Sequence, residues 1–120
     1  IHENVKTRLV EANELDTIHL YRTLKNTSRY FRNSIAEQAH QIEREKGDAL
    51  NIADIAPLVN GQRGRKVYEE GDMEAGVWTV GLAASLIKDI PTCADLLDRM
   101  VAEARSILRD RARLILDEAA

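Results

Sequence analysis

A chain of 120 residues with 44% hydrophobic and 31% charged side chains has the makeup of a soluble globular protein that can bury a real core. A net charge of −3 argues against a general nucleic-acid binder, which would carry a strongly basic face, and no apolar run is long enough to offer a membrane span. The single cysteine, Cys93, excludes an intramolecular disulfide, and nothing at the start reads as a signal peptide, so a cytoplasmic setting is expected.

The predicted elements begin with a helix capped by Asn4, whose apolar positions Val5, Leu9 and Ala12 fall at helical spacing. Thr17–Leu24 breaks that period. Ile18, Leu20 and Arg22 alternate with His19, Tyr21 and Thr23, which predicts a short strand. Asn26, Thr27 and Ser28 then supply capping oxygens for a second helix, with Phe31, Ile35, Ala39 and Ile42 on its buried face and Gly47 at its end.

A short helix follows over Asn51–Val59, capped by Asn51 and interrupted at Pro57, which has no N–H to donate. Asn60–Lys66 (NGQRGRK) has the composition of a turn, and Arg65–Glu70 that of a further short helix stopped by Gly71. The Gly-rich stretch is expected as loop to about Gly81 and as helix from Leu82 to Lys88. Thr92, with Asp95 three residues on, caps the last helix. That helix carries one apolar stripe through Leu96, Leu97, Met100, Val101, Ala104, Ile107, Leu108, Leu114 and Ile115. The fold class expected is mainly α with one or more short strands. With only five aromatic residues and a start at Ile1 rather than Met, residues 1–120 read as a single segment of something larger.

Few constellations carry chemistry. His2, His19 and His40 are far apart and share no metal-ligand spacing, so each reads as a packing or surface residue. Cys93 lies at a helix start without a basic neighbour, which favours a structural role. The two arginines and the lysine around Gly61 and Gly64 form either an anion-binding concavity or, more simply, a solvated turn; the P-loop frame is missing. Glu69, Glu70, Asp72 and Glu74 look like a charged surface run. The most informative segment is Gly71–Pro91, where Gly71, Gly76 and Gly81 bracket the only tryptophan, Trp78. Glycines flanked by small residues let a backbone come close to a bulky object. Trp78 itself is either core filler, the simpler reading, or the wall of a pocket.

Three runs carry a family resemblance: His2-x3-Lys6, LDTIHLYRTLKNTSRYFRN (Leu15–Asn33) and, most specifically, PLVNGQRGRKVYEEGDMEAGVWTVGLAASLIKDIPTCADLLDRM (Pro57–Met100). In these the chain resembles the C-terminal part of the flavin-dependent nitronate monooxygenases, formerly called 2-nitropropane dioxygenases. The resemblance implies a helical segment that covers the substrate side of FMN on a TIM barrel, in an enzyme oxidising alkyl nitronates with O₂. Related members reduce quinones with NADH. The family's phosphate loop and catalytic histidine lie on barrel segments that precede the matched part, so no catalytic residue is assigned here, no metal is expected, and the 120 residues alone are expected to be inactive and not to hold FMN stably.

By the same resemblance Trp78, Thr79 and Gly81 approach the flavin, and the Thr79 hydroxyl would hydrogen-bond near its reactive nitrogen. The chain departs from many members at Leu82, where Gln is common, and at Ser85, where Gly is common. Alternatives within the superfamily are an FMN- and NAD(P)H-dependent enoyl-acyl-carrier-protein reductase and an NADH:quinone reductase. A non-enzymatic helical interaction module, docking through the stripe of the last helix, is the alternative of another class. The expected partner is a small-molecule nitronate or quinone in the full-length enzyme, with no nucleic acid and no membrane, and a homo-oligomer is left open.

Overall fold

The structure is a computed structural model that describes residues 1–117, and the chain divides into two units, Ile1–Asp89 and a second one beginning at Ile90. The first unit opens with α1 (Glu3–Glu11). Its N-cap is His2, whose Nδ1 accepts the Asn4 backbone N–H at 3.2 Å, so Asn4 is not the cap that its residue type suggests. Asn4 instead sends its side-chain amide to the Gly71 carbonyl at 3.0 Å, and the His2 N–H donates to the Tyr68 carbonyl at 2.8 Å. Contacts from far along the chain thus decide which residue caps α1.

After a 3₁₀ turn over Glu14–Asp16 come β1 (Thr17–Leu20) and β2 (Ser28–Phe31), an antiparallel pair in which Ile18 faces Tyr30 and Thr17 faces Phe31. The expected strand stops at Leu20 because Tyr21 takes φ +66°, and Lys25 takes φ +54° before the chain reverses. Buried Glu43 holds this turn, accepting from the backbone N–H groups of Tyr21 (3.0 Å) and Thr23 (2.8 Å) and from the Thr23 hydroxyl (3.1 Å).

β2 corrects the sequence expectation. Ser28 caps no helix and Phe31 lies on no helix face; both belong to the strand. Arg-Tyr-Phe favours a pleated, half-buried surface, and a better cap stands closer to the apolar run. Asn33 accepts the Ala36 N–H at 2.8 Å and starts α2 (Ser34–Lys46), which Gly47 ends with φ +51° as anticipated.

Next comes α3 (Ile52–Val59), closed at its start by a reciprocal Asn51–Asp54 capping box. It runs through Pro57 rather than breaking there. Only one intrahelical donor is lost, and the helix ends two residues later in any case. A second correction concerns α4 (Gly61–Glu70): residues 61–66 are not a turn but its opening turns, because Asn60 accepts the Arg63 N–H at 3.1 Å. The expected helix after Gly81 is a 3₁₀ turn, Leu82–Leu86, that stops short of Lys88.

The two faces of the β-pair carry separate cores. Ile18 and Leu20 pack with Ile35, Ala36, Ala39, Leu50, Ile55 and Val77. Phe31, turned to the other face by strand alternation, packs with Val5, Ala12, Val67, Trp78 and Ala84.

The second unit is one long helix, α5 (Cys93–Asp117). The Thr92 hydroxyl accepts the Asp95 N–H at 3.1 Å, as its spacing predicts. Among the described residues no further element accompanies α5 in its unit, and its stripe is exposed: Leu97 62%, Met100 58%, Leu108 71%.

Candidate functional site

The site is built on the Gly-rich strip after α4. Gly71 ends α4 in the left-handed region at φ +72°, and a Cβ there would lie 2.2 Å from the His2 ring. Only glycine satisfies both conditions. Asp72 turns the chain by accepting the Glu74 N–H (3.0 Å), and the Glu74 carboxylate accepts the Ser34 N–H (2.8 Å) at the start of α2. The acidic run is therefore partly structural. Arg65 pairs with Glu69 at 2.8 Å on the surface of α4.

Asn33 clamps the strip. Its amide donates to the carbonyls of Met73 and Gly76, both at 2.8 Å, while its oxygen caps α2. Arg63 holds the strip from the other side, with Nε donating to the Ala75 carbonyl at 2.6 Å. Between these clamps Gly76 backs onto α4, where a Cβ would stand 2.6 Å from the Arg63 carbonyl carbon. The reverse contact is equally close: a Cβ at Gly64 would stand 2.8 Å from the Val77 oxygen. The bulky object that these glycines admit is thus the backbone of α4, and NGQRGRK opens that helix rather than forming a free turn.

Held in this way, residues 78–80 run along the open edge of β2. The Phe31 N–H donates to the Trp78 carbonyl at 3.0 Å, the Val80 N–H to the Arg29 carbonyl at 3.3 Å, and Tyr30 and Thr79 form an antiparallel bridge. Period-two alternation then sorts the side chains. Trp78 falls on the Phe31 face, stacked at 4.4 Å and 10° and only 2% exposed, with the Arg8 guanidinium 5.0 Å from the Phe31 ring centre. Thr79 falls on the opposite face and is exposed, its hydroxyl free of any side-chain hydrogen bond.

Trp78, Thr79 and Gly81 meet at one cleft of about 430 Å³, bordered also by Tyr68, Ala84 and Ile87. Its wall is apolar, with Lys6 at the rim paired to Glu3 at 2.9 Å. Trp78 is core and wall at once: the ring is buried, yet its Nε1 is a buried donor without a partner. Gly81 stands open, the nearest atom to a Cβ there being 3.9 Å away. Leu82 is half-exposed beside it, and the Ser85 hydroxyl donates to the Leu82 carbonyl at 2.9 Å. A second depression of about 390 Å³ shares Thr79 and Trp78 and adds Tyr30, Asn60 and Gly64.

A larger cavity of about 560 Å³ lies between Tyr21, Leu24, Ile52 and Val59. There burial, and then the hydrogen bond to Tyr30, push the Tyr21 phenol well above its ordinary value of 10.0, so it stays a neutral donor.

An exposed hydroxyl and an open glycine beside an apolar wall suit the edge of a flat heteroaromatic ligand, whereas the Trp78 Nε1 is buried. They supply no acid–base pair and no nucleophile. Among the described residues no group of three or more His, Cys, Asp and Glu could hold a metal, and no helix is long and apolar enough to cross a membrane. Cys93 is exposed. His2 is a cap, and His40 carries a buried Nδ1 without a partner, away from the cleft. The residue that sequence reasoning missed is Asn33. Its signal was Asn-Ser directly before the apolar run of α2, a stronger cap than Asn26–Ser28.

No family model matches the chain. Among solved structures, FabK from Thermotoga maritima is similar in fold, with a TM-score of 0.80 and 24% identity over 93% of this chain. The match takes up 34% of that protein, so this chain spans about a third of the length of the structure it resembles. The likeness is one of fold: a mostly helical segment with a two-stranded sheet.

Proposed function

We propose that this chain is the C-terminal, substrate-side part of an FMN-dependent oxidoreductase of the nitronate monooxygenase type, oxidising alkyl nitronates with O₂. The observation that carries the reading is the presentation of Thr79 and Gly81, open and adjacent, on a strip clamped by Asn33, Arg63 and β2. In this proposal bound FMN supplies the redox chemistry, and the chain contributes placement. Thr79 offers a hydroxyl at the flavin edge, Gly81 leaves room for close approach, and Trp78 closes the wall with its buried ring. The matching third of FabK supports the fold that this role requires.

A second reading, an FMN- and NAD(P)H-dependent enoyl-acyl-carrier-protein reductase, draws on the same fold likeness to FabK. Steady-state assays of the full-length protein with propionate 3-nitronate and with an enoyl thioester separate the two. Turnover of the nitronate with O₂ supports the first reading, and NAD(P)H-dependent turnover of the thioester alone overturns it. Thr79→Val tests the site itself. Losing a donor aimed at charge that develops in the transition state costs up to ~3 kcal/mol, roughly a hundredfold in flavin reduction rate. The melting temperature should hold, because the hydroxyl is exposed and makes no side-chain bond. Wild-type flavin reduction in this variant defeats the assignment.

A further inference from the structure

We propose, resting on that reading of Thr79, that the substrate carries an uncharged alkyl chain of several carbons, and that this chain lies in the cavity between α3 and the β1–β2 turn. Residues paired across an antiparallel bridge share a face, with Cβ atoms about 5 Å apart. Thr79 therefore stands beside Tyr30, its bridge partner. The Tyr30 ring in turn meets the Tyr21 ring edge-on at 5.6 Å. Tyr30 borders the 390 Å³ depression that holds Thr79, Tyr21 borders the 560 Å³ cavity, and Val59 and Asn60 border both. The two hollows adjoin along these four residues. A molecule with its polar head at Thr79 thus reaches the cavity across the tyrosine pair.

The lining specifies the tail. Leu24, Ile52, Ala56 and Val59 form the apolar wall, and Ile52, at the start of α3, is 53% exposed on it. The polar groups of the cavity, the Tyr21 phenol and two asparagine amides, are all uncharged. Among the described residues bordering either hollow, the one charged side chain is Arg65, and Glu69 pairs with it at 2.8 Å. Nothing in the cavity compensates a carboxylate or an ammonium, and desolvating an unpaired charge is costly. An alkyl chain needs no partner and gains by burial. A volume of 560 Å³ lies within the range of small-molecule sites. The boundary ring is also fixed in place: Tyr21 sits at φ +66°, unfavourable for an aromatic residue, and buried Glu43 holds it there through its N–H at 3.0 Å. Strain of this kind persists only where the surroundings over-determine it, and it gathers at ligand sites.

The full-length protein serves both arms of the test. In the first, kcat/KM for the nitronates of nitroethane, 1-nitrobutane and 1-nitrohexane should rise roughly two- to fourfold per methylene. The hexyl compound should exceed propionate 3-nitronate, whose tail is a carboxylate, by about tenfold or more. Ile52→Asp sets a charge in the wall and Ala56→Leu fills the cavity, so both should flatten the rise, with circular dichroism showing that each variant has folded. In the second arm, carbon-13 methyl signals of Leu24, Ile52 and Val59 are followed during titration with 1-hexanol and with 1-propanol, probes that carry no nitronate. All three signals should shift saturably, and hexanol should bind about tenfold or more tightly than propanol. Methyl shifts without nitronate turnover support the alkyl site while defeating the nitronate reading of Thr79. Turnover indifferent to chain length, or a rise that survives both variants, overturns the proposal. Methyl signals that ignore hexanol overturn it as well, as they would if another segment of the polypeptide filled the cavity.

Discussion

Replacing Gly76 with alanine isolates the contact on which the candidate site is built. The added Cβ would sit 2.6 Å from the Arg63 carbonyl carbon, 2.7 Å from the Arg63 Cβ and 2.7 Å from the Gly64 nitrogen. Two of these are backbone atoms of a regular helix, so the strip must retreat rather than α4. Retreat by several tenths of an ångström strains the bonds from Asn33 to the Met73 and Gly76 carbonyls and loosens the Arg63–Ala75 bond. Overpacking costs ~1–3 kcal/mol, and a weakened bond from a buried amide adds ~1 kcal/mol. With a urea dependence of about 1–3 kcal/mol per molar for small domains, the unfolding midpoint should fall by roughly 1–2 M. Gly81→Ala is the control, since only one atom comes within 4 Å of its Cβ, at 3.9 Å, and its φ of −90° suits alanine. Its stability should stay within about 0.5 kcal/mol of wild type. Equal losses in both variants, or none at Gly76, would refute the close-packed strip.

Other expectations follow from single contacts. Asn33→Ala removes a helix cap and two donors to the strip, so it should destabilise by ~2–4 kcal/mol. Asn33→Asp keeps the capping acceptor but sets a buried carboxylate oxygen against the Met73 and Gly76 carbonyls, so chemical denaturation should place it no more stable than Asn33→Ala. Glu43→Ala strips partners from the Tyr21 and Thr23 N–H groups and should cost ~2–3 kcal/mol, with amide exchange at Tyr21 and Thr23 accelerating before that of β1. The Lys46 ammonium, and then the Asn51 N–H, hold Asp54 below its ordinary carboxyl value of 3.8. A depressed folded-state value means that its stabilisation is present above the ordinary value and is lost as pH falls through the folded one. Urea midpoints of wild type and Asp54→Asn should therefore differ at pH 7 and converge in strong acid; a gap that persists there contradicts the assignment.

The sequence revealed most where a local signal faced no competitor. Asn51 with Asp54, Thr92 before α5, and the glycines that end α2 and α4 all act where their residue types predict. It misled where two local signals competed and distant contacts decided. Asn26–Ser28 and Asn33 both resemble helix caps, and the choice between them rests on β2 pairing with residues 78–80 from far along the chain. At α1 the choice between His2 and Asn4 rests on Tyr68 and Gly71 in the same way. For the site, the Gly-x-Trp-Thr-x-Gly strip was visible as unusual. What its glycines accommodate was not, because glycine spacing does not say whether the close neighbour is a ligand or a helix.

The bridge between Tyr30 and Thr79 has a consequence for the order of assembly. Its two residues lie 49 positions apart, and α2, α3 and α4 lie between them. Closing so long an excursion is entropically costly unless the intervening helices have already condensed, whereas the β1–β2 turn closes locally. The cleft is therefore a late product of folding, formed when residues 78–80 dock on an edge that waits for them. Because closure entropy grows only slowly with length, the excursion can gain residues in its surface turns at little thermodynamic cost. A single added Cβ at Gly64 or Gly76 collides with the same docking and forces the strip back. Variation in this fold is thus cheap in length and costly in volume.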